Sequence, residues 1–158
     1  MKSLEKHRPR YWLMKSEPEA FSIDDLKAKK RSLWDGVRNY QARNFMMNDM
    51  KIGDQVLFYH SNATPPGIAG LAEISKEAVP DPTAQDPKSK YFDPKAAPEK
   101  PIWFCVEVKF KKKFKRLIPL EELRAEKPLK EMLLLKKGQR LSIQPVTEKE
   151  YQYILGLL

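Results

Sequence analysis

Cysteine occurs once in the 158 residues, at Cys105, histidine twice, at His7 and His60, and glycine six times. A single thiol excludes an internal disulfide framework and fits a reducing compartment, so the expected location is cytoplasmic. One cysteine and two histidines are too few for a structural zinc site. Neither His-x-Glu nor Cys-x-x-Cys occurs, which removes the zinc deaminases. No Ser/His/Asp or Cys/His set stands at a recognisable spacing, so the chain reads as a binder and not an enzyme. No glycine-rich phosphate loop follows a strand, which disfavours a doubly wound nucleotide-binding fold. Uncharged apolar runs are only a handful of residues long and none would span a bilayer. Met1 to Arg10 is charged throughout, without the apolar stretch of a secretory signal. Neither a metal nor a cofactor is expected.

What is present is charge. The formal net charge is +9, with 30 Lys and Arg against 21 Asp and Glu, and this balance favours a polyanionic partner. Two basic runs stand out, one from Lys109 to Arg116 and one at Lys136, Lys137 and Arg140; each could equally be a solvated face. The length suits a single domain with a substantial core. The division expected is a basic extension over residues 1–10 and one domain over 11–158.

Local patterns place the elements. Tyr11 to Lys15 reads as a strand, stopped by Ser16-Glu17-Pro18. Ser22 with Asp25 forms a capping box that opens a helix, with Phe21 placed to staple onto Leu26. Gln55 to Ser61 and Ile68 to Ile74 read as strands, with Gly70 a bulge or a point of close approach. Val79 to Pro101 carries six prolines and must be mostly irregular. Ile102 to Phe110 alternates, Ile102, Phe104, Val106, Val108 and Phe110 against Trp103, Cys105, Glu107 and Lys109. Continuing that register puts Lys111, Lys113 and Lys115 in one outward stripe. Pro119 to Arg124 and Leu129 to Leu135 look helical, and Arg140 to Ile143 reads as a last strand. Thr147 with Glu150 is a second capping box, opening a closing helix. Strands interleaved with short helices, without regular βαβ alternation, predict an α+β fold: a small mixed β-barrel or curled sheet with peripheral helices.

The densest stretch chemically is Trp34 to Asn44. It holds an indole, a glycine that can turn the chain sharply, two guanidiniums (Arg38 and Arg43), two asparagine amides (Asn39 and Asn44) and the Tyr40 phenol. Asn39 reads as the N-cap of a short helix. The plain alternative is a buried tryptophan beside a capped, solvated helix.

Several blocks, in order, resemble the EVE domain. They are Tyr11 to Pro18, Trp34 to Asn44, Gly53-Asp54 with Phe58 to Asn62, Gly67 to Gly70, Tyr91 to Pro94 and Arg140 to Val146, covering nearly the whole chain. The resemblance implies a PUA-like mixed β-barrel with peripheral helices, related to the YTH domains that read N6-methyladenosine. It also implies a reader of modified bases, with 5-methylcytosine and 5-hydroxymethylcytosine in DNA among the ligands. By the likeness to YTH domains, Lys15, Ser16 and Trp34 are pocket candidates.

The chemistry of the residues agrees with that implication. A base read in full must leave its stack, at a cost of a few kcal/mol, and stacking on an aromatic ring returns roughly 1–3 kcal/mol. Trp34 is the expected platform, with Tyr59 or Trp12 as a second wall and Val37 packing against a methyl group. Asn39, Asn44, Ser16, Ser61 and Gln144 can read a base edge without a charge to desolvate. Tyr40, Ser142 and Pro145, from the same blocks, complete the pocket set. Arg38, Arg43, Lys111, Lys113 and Lys115 are the phosphate candidates. The partner expected is nucleic acid carrying a modified base, DNA before RNA. A small-ligand or nucleoside sensor, or an RNA-binding module, would use the same pocket. Trp12 and Trp103, each inside a predicted strand, also read as packing residues, and His60 as hydrogen-bonded within the fold.

Overall fold

The computed structural model describes residues 8–158. Most of the basic segment read at residues 1–10 lies outside them. Six strands form one mixed sheet: β1 (Tyr11–Ser16), β2 (Arg31–Leu33), β3 (Gln55–His60), β4 (Gly67–Pro80), β5 (Phe104–Pro119) and β6 (Ile143–Val146), in the order β2-β5-β4-β3-β1-β6. β1 and β3 run parallel at the centre, Tyr11 opposite Gln55 and Ser16 opposite His60, while every other pairing is antiparallel. A parallel pair needs a long crossover. Here it contains α1 (Ile23–Lys29), β2 at the far edge and α2 (Tyr40–Asn44). The fold is α+β with helices at the periphery, and β2 and β6 are the sheet's edges.

Side chains alternate across each strand, so a sheet with apolar residues at every position must be covered on both faces. Trp12, Met14, Val56 and Phe58 enter one core with Ile23, Leu26, Trp34, Met46 and Val106. Leu13, Leu57 and Tyr59 enter a second with Phe114, Leu123, Tyr151 and Ile154. The first is covered by the crossover. The second is closed by α3 (Leu120–Arg124) and α4 (Glu148–Leu155).

Caps fix the helix starts. Ser22 and Asp25 complete the capping box of α1, and Thr147 and Glu150 that of α4. The Asn39 side chain accepts the Ala42 N–H at 2.9 Å, as an N-cap does.

Four stretches differ from the sequence reading. β4 and β5 are longer than the alternation suggested, running 14 and 16 residues, because register shifts along their shared ladder break the two-residue period without ending the pairing. The same irregularity places Phe114 in the second core and leaves Lys111, Lys112 and Lys113 exposed in succession, so the basic run is not a clean alternate-residue stripe. The last strand begins at Ile143 instead of Arg140, and in place of a helix over 129–135 there are two short 3-10 turns, Lys127–Leu129 and Leu133–Leu135.

Gly70 sits where two elements approach closely. A Cβ there would stand 2.3 Å from the Lys112 carbonyl and 2.9 Å from the Ile23 side chain. The absence of a side chain lets α1 lie down on the sheet.

Candidate nucleobase pocket

An open cavity of about 650 Å³ lies on the crossover side of the sheet, a volume within the ~300–1,000 Å³ common for ligand sites. Most of its walls come from three places in the chain, with Ala20, Phe21, Lys29 and Ser142 among the rest. The end of β1 contributes Lys15 and Ser16, β2 and the loop after it contribute Leu33 to Arg38, and the proline-rich segment contributes Lys90 and Tyr91.

Trp34 is the aromatic wall. It is 7% exposed, and its ring meets Phe58 edge-on at 5.4 Å, so it is anchored in the core while lining the cavity. Its backbone N–H donates to the Val106 carbonyl at 2.8 Å, extending the β2–β5 pairing by one residue. Among the described residues, no group accepts its indole N–H. Ser16 closes the turn ahead of α1, its hydroxyl donating to the Phe21 carbonyl at 2.6 Å. The Ser142 carbonyl accepts the Lys15 N–H at 2.8 Å, which ties the approach to β6 to β1. Partial burial pulls the Lys15 ammonium below its ordinary pKa.

The loop after Trp34 is held from behind by Asp81. Its buried carboxylate accepts from the Gly36 N–H (2.8 Å), an Arg38 N–H (3.1 Å), the Thr83 N–H (2.8 Å) and the Thr83 hydroxyl (2.6 Å). Burial alone would push its pKa up, but the Thr83 hydroxyl, the Gly36 N–H and Arg38 together hold it below the ordinary value. Arg38 spends all five donors inside the protein, on the Tyr91 and Val37 carbonyls, Asp81 and Thr83. This guanidinium is a clamp between two loops. Gly36 has a φ of +81°, and a Cβ there would lie 2.8 Å from the Tyr91 ring, so glycine lets that ring close down on the turn.

Behind Arg38, Trp103 extends the clamp. Arg38 lies over its ring at 5.2 Å, Tyr40 stacks on it at 4.8 Å, and its indole N–H donates to Asp93 at 2.8 Å. The segment 81–103 is thus tied down by polar and aromatic contacts, although it has almost no regular structure.

Of the residues selected from sequence, Lys15, Ser16, Trp34, Val37, Arg38 and Ser142 line the cavity together. The rest lie elsewhere. Asn39 caps α2, and Asn44 accepts two bonds from Arg43. Arg43 also donates to the Ile102 carbonyl and lies 4.8 Å over the exposed Tyr40 ring. Tyr59 is buried in the second core, across the sheet from the cavity's aromatic wall. Ser61 is joined through its N–H to the Ser16 carbonyl. Gln144 is buried, with its Nε2 donating to the Leu141 carbonyl and its Oε1 unpartnered. Pro145 and Trp12 border a separate shallow cleft, and Trp12 donates its indole N–H to Asp54 at 3.0 Å. Lys111 bonds Gln55, and Lys113 pairs with Asp24 at 2.8 Å. With Lys115, both stand outside the lining.

Four charged lining residues were not among the selected ones: Glu17, Lys29, Asp35 and Lys90. Asp35 and Glu17 carried a signal, since they flank Trp34 and Ser16. Lys90 precedes Tyr91 at the start of a matching block.

The pattern of the EVE domain matches residues 10–157. The chain belongs to the EVE domain family. Human thymocyte nuclear protein 1 is 48% identical over 176 residues, spanning 99% of this chain and 76% of the human protein. The crystal structure of human THYN1 in complex with DNA containing 5-methylcytosine superposes with a TM-score of 0.87 at 47% identity, covering 94% of this chain and 96% of that one. A hypothetical protein from Leishmania major superposes with a TM-score of 0.90 at 52% identity, covering 95% and 94% of the two chains. The EVE cavity described above is thus set in a fold shared, at close to half identity, with a protein crystallised on methylated DNA.

Proposed function

We propose that this EVE domain is a non-catalytic reader of a modified base in nucleic acid, with modified cytosine in DNA the favoured ligand. The observation that carries the reading is the open cavity against one face of Trp34, in a chain whose human relative has been crystallised with 5-methylcytosine-containing DNA. The target base leaves its stack and lies against the indole. Its unstacking costs a few kcal/mol, and the ring contact offsets part of that. Val37 and Trp34 pack the added methyl group, which sets discrimination at about 1–3 kcal/mol. Ser16 and the Ser142 backbone border the base edge.

The phosphate role passes from Arg38 and Arg43, whose donors are engaged within the protein, to Lys29 and Lys90 in the cavity lining. Lys111, Lys113 and Lys115 form an outer basic surface whose surface ion pairs are weak enough to exchange for phosphate. Affinity therefore falls as salt rises.

The test uses short strands bearing 5-methylcytosine or cytosine at one position, titrated against the wild type, Trp34→Phe and Trp34→Ala. The wild type should favour the modified strand by about tenfold or more. Trp34→Phe should keep part of that preference and Trp34→Ala should lose it, with thermal melting reporting that each variant is folded. A folded Trp34→Ala that keeps the full preference would refute the pocket. A free modified nucleoside bound more tightly than any strand would favour a nucleoside sensor instead.

A further inference from the structure

The cavity's polar lining has an asymmetry that bears on which ring it accepts. Most of its groups are committed or can only donate. Arg38 has no free N–H, the Ser16 and Ser32 hydroxyls have given their protons to the Phe21 and Leu33 carbonyls and keep only weak, neutral lone pairs, and the Glu17 carboxylate faces the Asn62 amide at 3.4 Å. Lys29 and Lys90 are donors without acceptor capacity. Asp35, next to the indole, is the reverse. Among the described residues, no other residue donates to its carboxyl, and the group stands exposed at the cavity lip. Its place is nonetheless fixed, because the residues on either side are pinned: the Trp34 N–H to Val106 and the Gly36 N–H to Asp81. The two carboxylates of this loop thus divide the work, Asp81 satisfied by four donors and Asp35 by none outside its own residue.

We infer that Asp35 is the specificity residue that reads the exocyclic amine of the bound base, so that the pocket selects a cytosine-type ring over a thymine-type ring. This rests on the base-pocket reading above. A carboxylate accepts from the cytosine N4 amine, whereas thymine presents an oxygen acceptor at the same ring position. 5-Methylcytosine and thymine carry the same methyl group and nearly the same outline, so packing on Trp34 and Val37 cannot separate them. The amine can. The Asp35 pKa is raised first by desolvation at the cavity lip and then by the neighbouring Asp81 charge, with Lys29 and Arg38 opposing. No other described residue donates to that carboxyl, and an amine on the ligand gives it a donor.

The experiment compares wild type, Asp35→Ala and Asp35→Asn on duplexes carrying 5-methylcytosine, thymine or cytosine at one position, each opposite an abasic site so that extrusion costs are equal. The wild type should bind the 5-methylcytosine duplex at least tenfold more tightly than the thymine duplex. Asp35→Ala should bring the two within two- to threefold, and so should Asp35→Asn, whose amide can turn either a donor or an acceptor to the ring. Both variants should keep the preference for 5-methylcytosine over cytosine, because the methyl contacts are untouched. If Asp35→Ala keeps the discrimination against thymine, or if the wild type binds thymine as well as 5-methylcytosine, the role of Asp35 is refuted while the pocket stands. If the wild type distinguishes none of the three bases, both fall.

Discussion

Both faces of the sheet carry an apolar core, and the cavity beside Trp34 opens on one of them. On the far face, α3 and α4 set Leu123, Tyr151 and Ile154 against Leu13, Leu57 and Tyr59, and apolar surface meets apolar surface. On the near face the cover is partly a strap, residues 81–103, fastened by Asp81, Arg38, Trp103 and the Tyr91 carbonyl. A strap joined at a few polar points spans a gap that a packed helix would fill. The cavity is therefore a consequence of how the near face is covered, and it leaves one side of a core tryptophan open.

That contrast can be broken at its strongest polar point. Asp81→Ala removes a buried acceptor of four hydrogen bonds and leaves Arg38 without its ion pair. Breaking a buried pair costs roughly 3–5 kcal/mol, and the partial exposure of Arg38 puts the loss near the lower figure. Denaturant unfolding should show this loss, and binding of modified strands should fall with it, because the Trp34 loop is released.

The sealed face offers the matching control. Leu123→Ala empties a fully buried site on a short helix, which should cost about 2 kcal/mol because a five-residue helix can settle into the space. The same unfolding measurement should record that loss, while the ratio of affinities for modified and unmodified strands stays at the wild-type value. A changed ratio would mean that the two faces are coupled and that the comparison fails.

The smallest effect sharpens the comparison through pH. The Ile23 N–H at the start of α1 donates to His60 Nε2 at 3.1 Å, so the near-face helix is held by a neutral imidazole. Burial lowers the His60 pKa from its ordinary 6.5, Lys113 adds to the lowering, and Asp24 opposes it. With a folded value below the unfolded one, the unfolded chain binds the proton first as pH drops. The His60 contribution is complete above about pH 6.5 and is lost progressively as pH falls from there through the folded value. His60→Gln keeps an acceptor without a titrating group, so its unfolding free energy should be flatter over that window than the wild type's.

Much of this was legible in the sequence wherever the signal is local. Both capping boxes, the Asn39 cap and strands β1 and β3 follow from residue types at short fixed spacings, and the structure has them. Trp34 was legible because an indole followed by Asp-Gly is an unusual turn. What failed to show was pairing over distance. Nothing near Arg38 in sequence indicates that its donors are met by Asp81, Thr83 and Tyr91, between 43 and 53 residues away. Asn44 and Gln144 read as free amides because the partners that engage them, Arg43 and the Leu141 carbonyl, depend on how the backbone turns. The length of β5 was hidden by its register shifts, which interrupt alternation while hydrogen bonding continues.

Cys105 lies in β5 opposite Val79, fully buried, with its thiol pushed up to about 12 by burial and by the charges of Asp81 and Asp35. In the closed molecule, alkylating reagents meet neither access nor thiolate there. Because it is the sole sulfhydryl in the chain, the rate of its labelling is a built-in stopwatch for the parting of β4 from β5, and needs no engineered reporter.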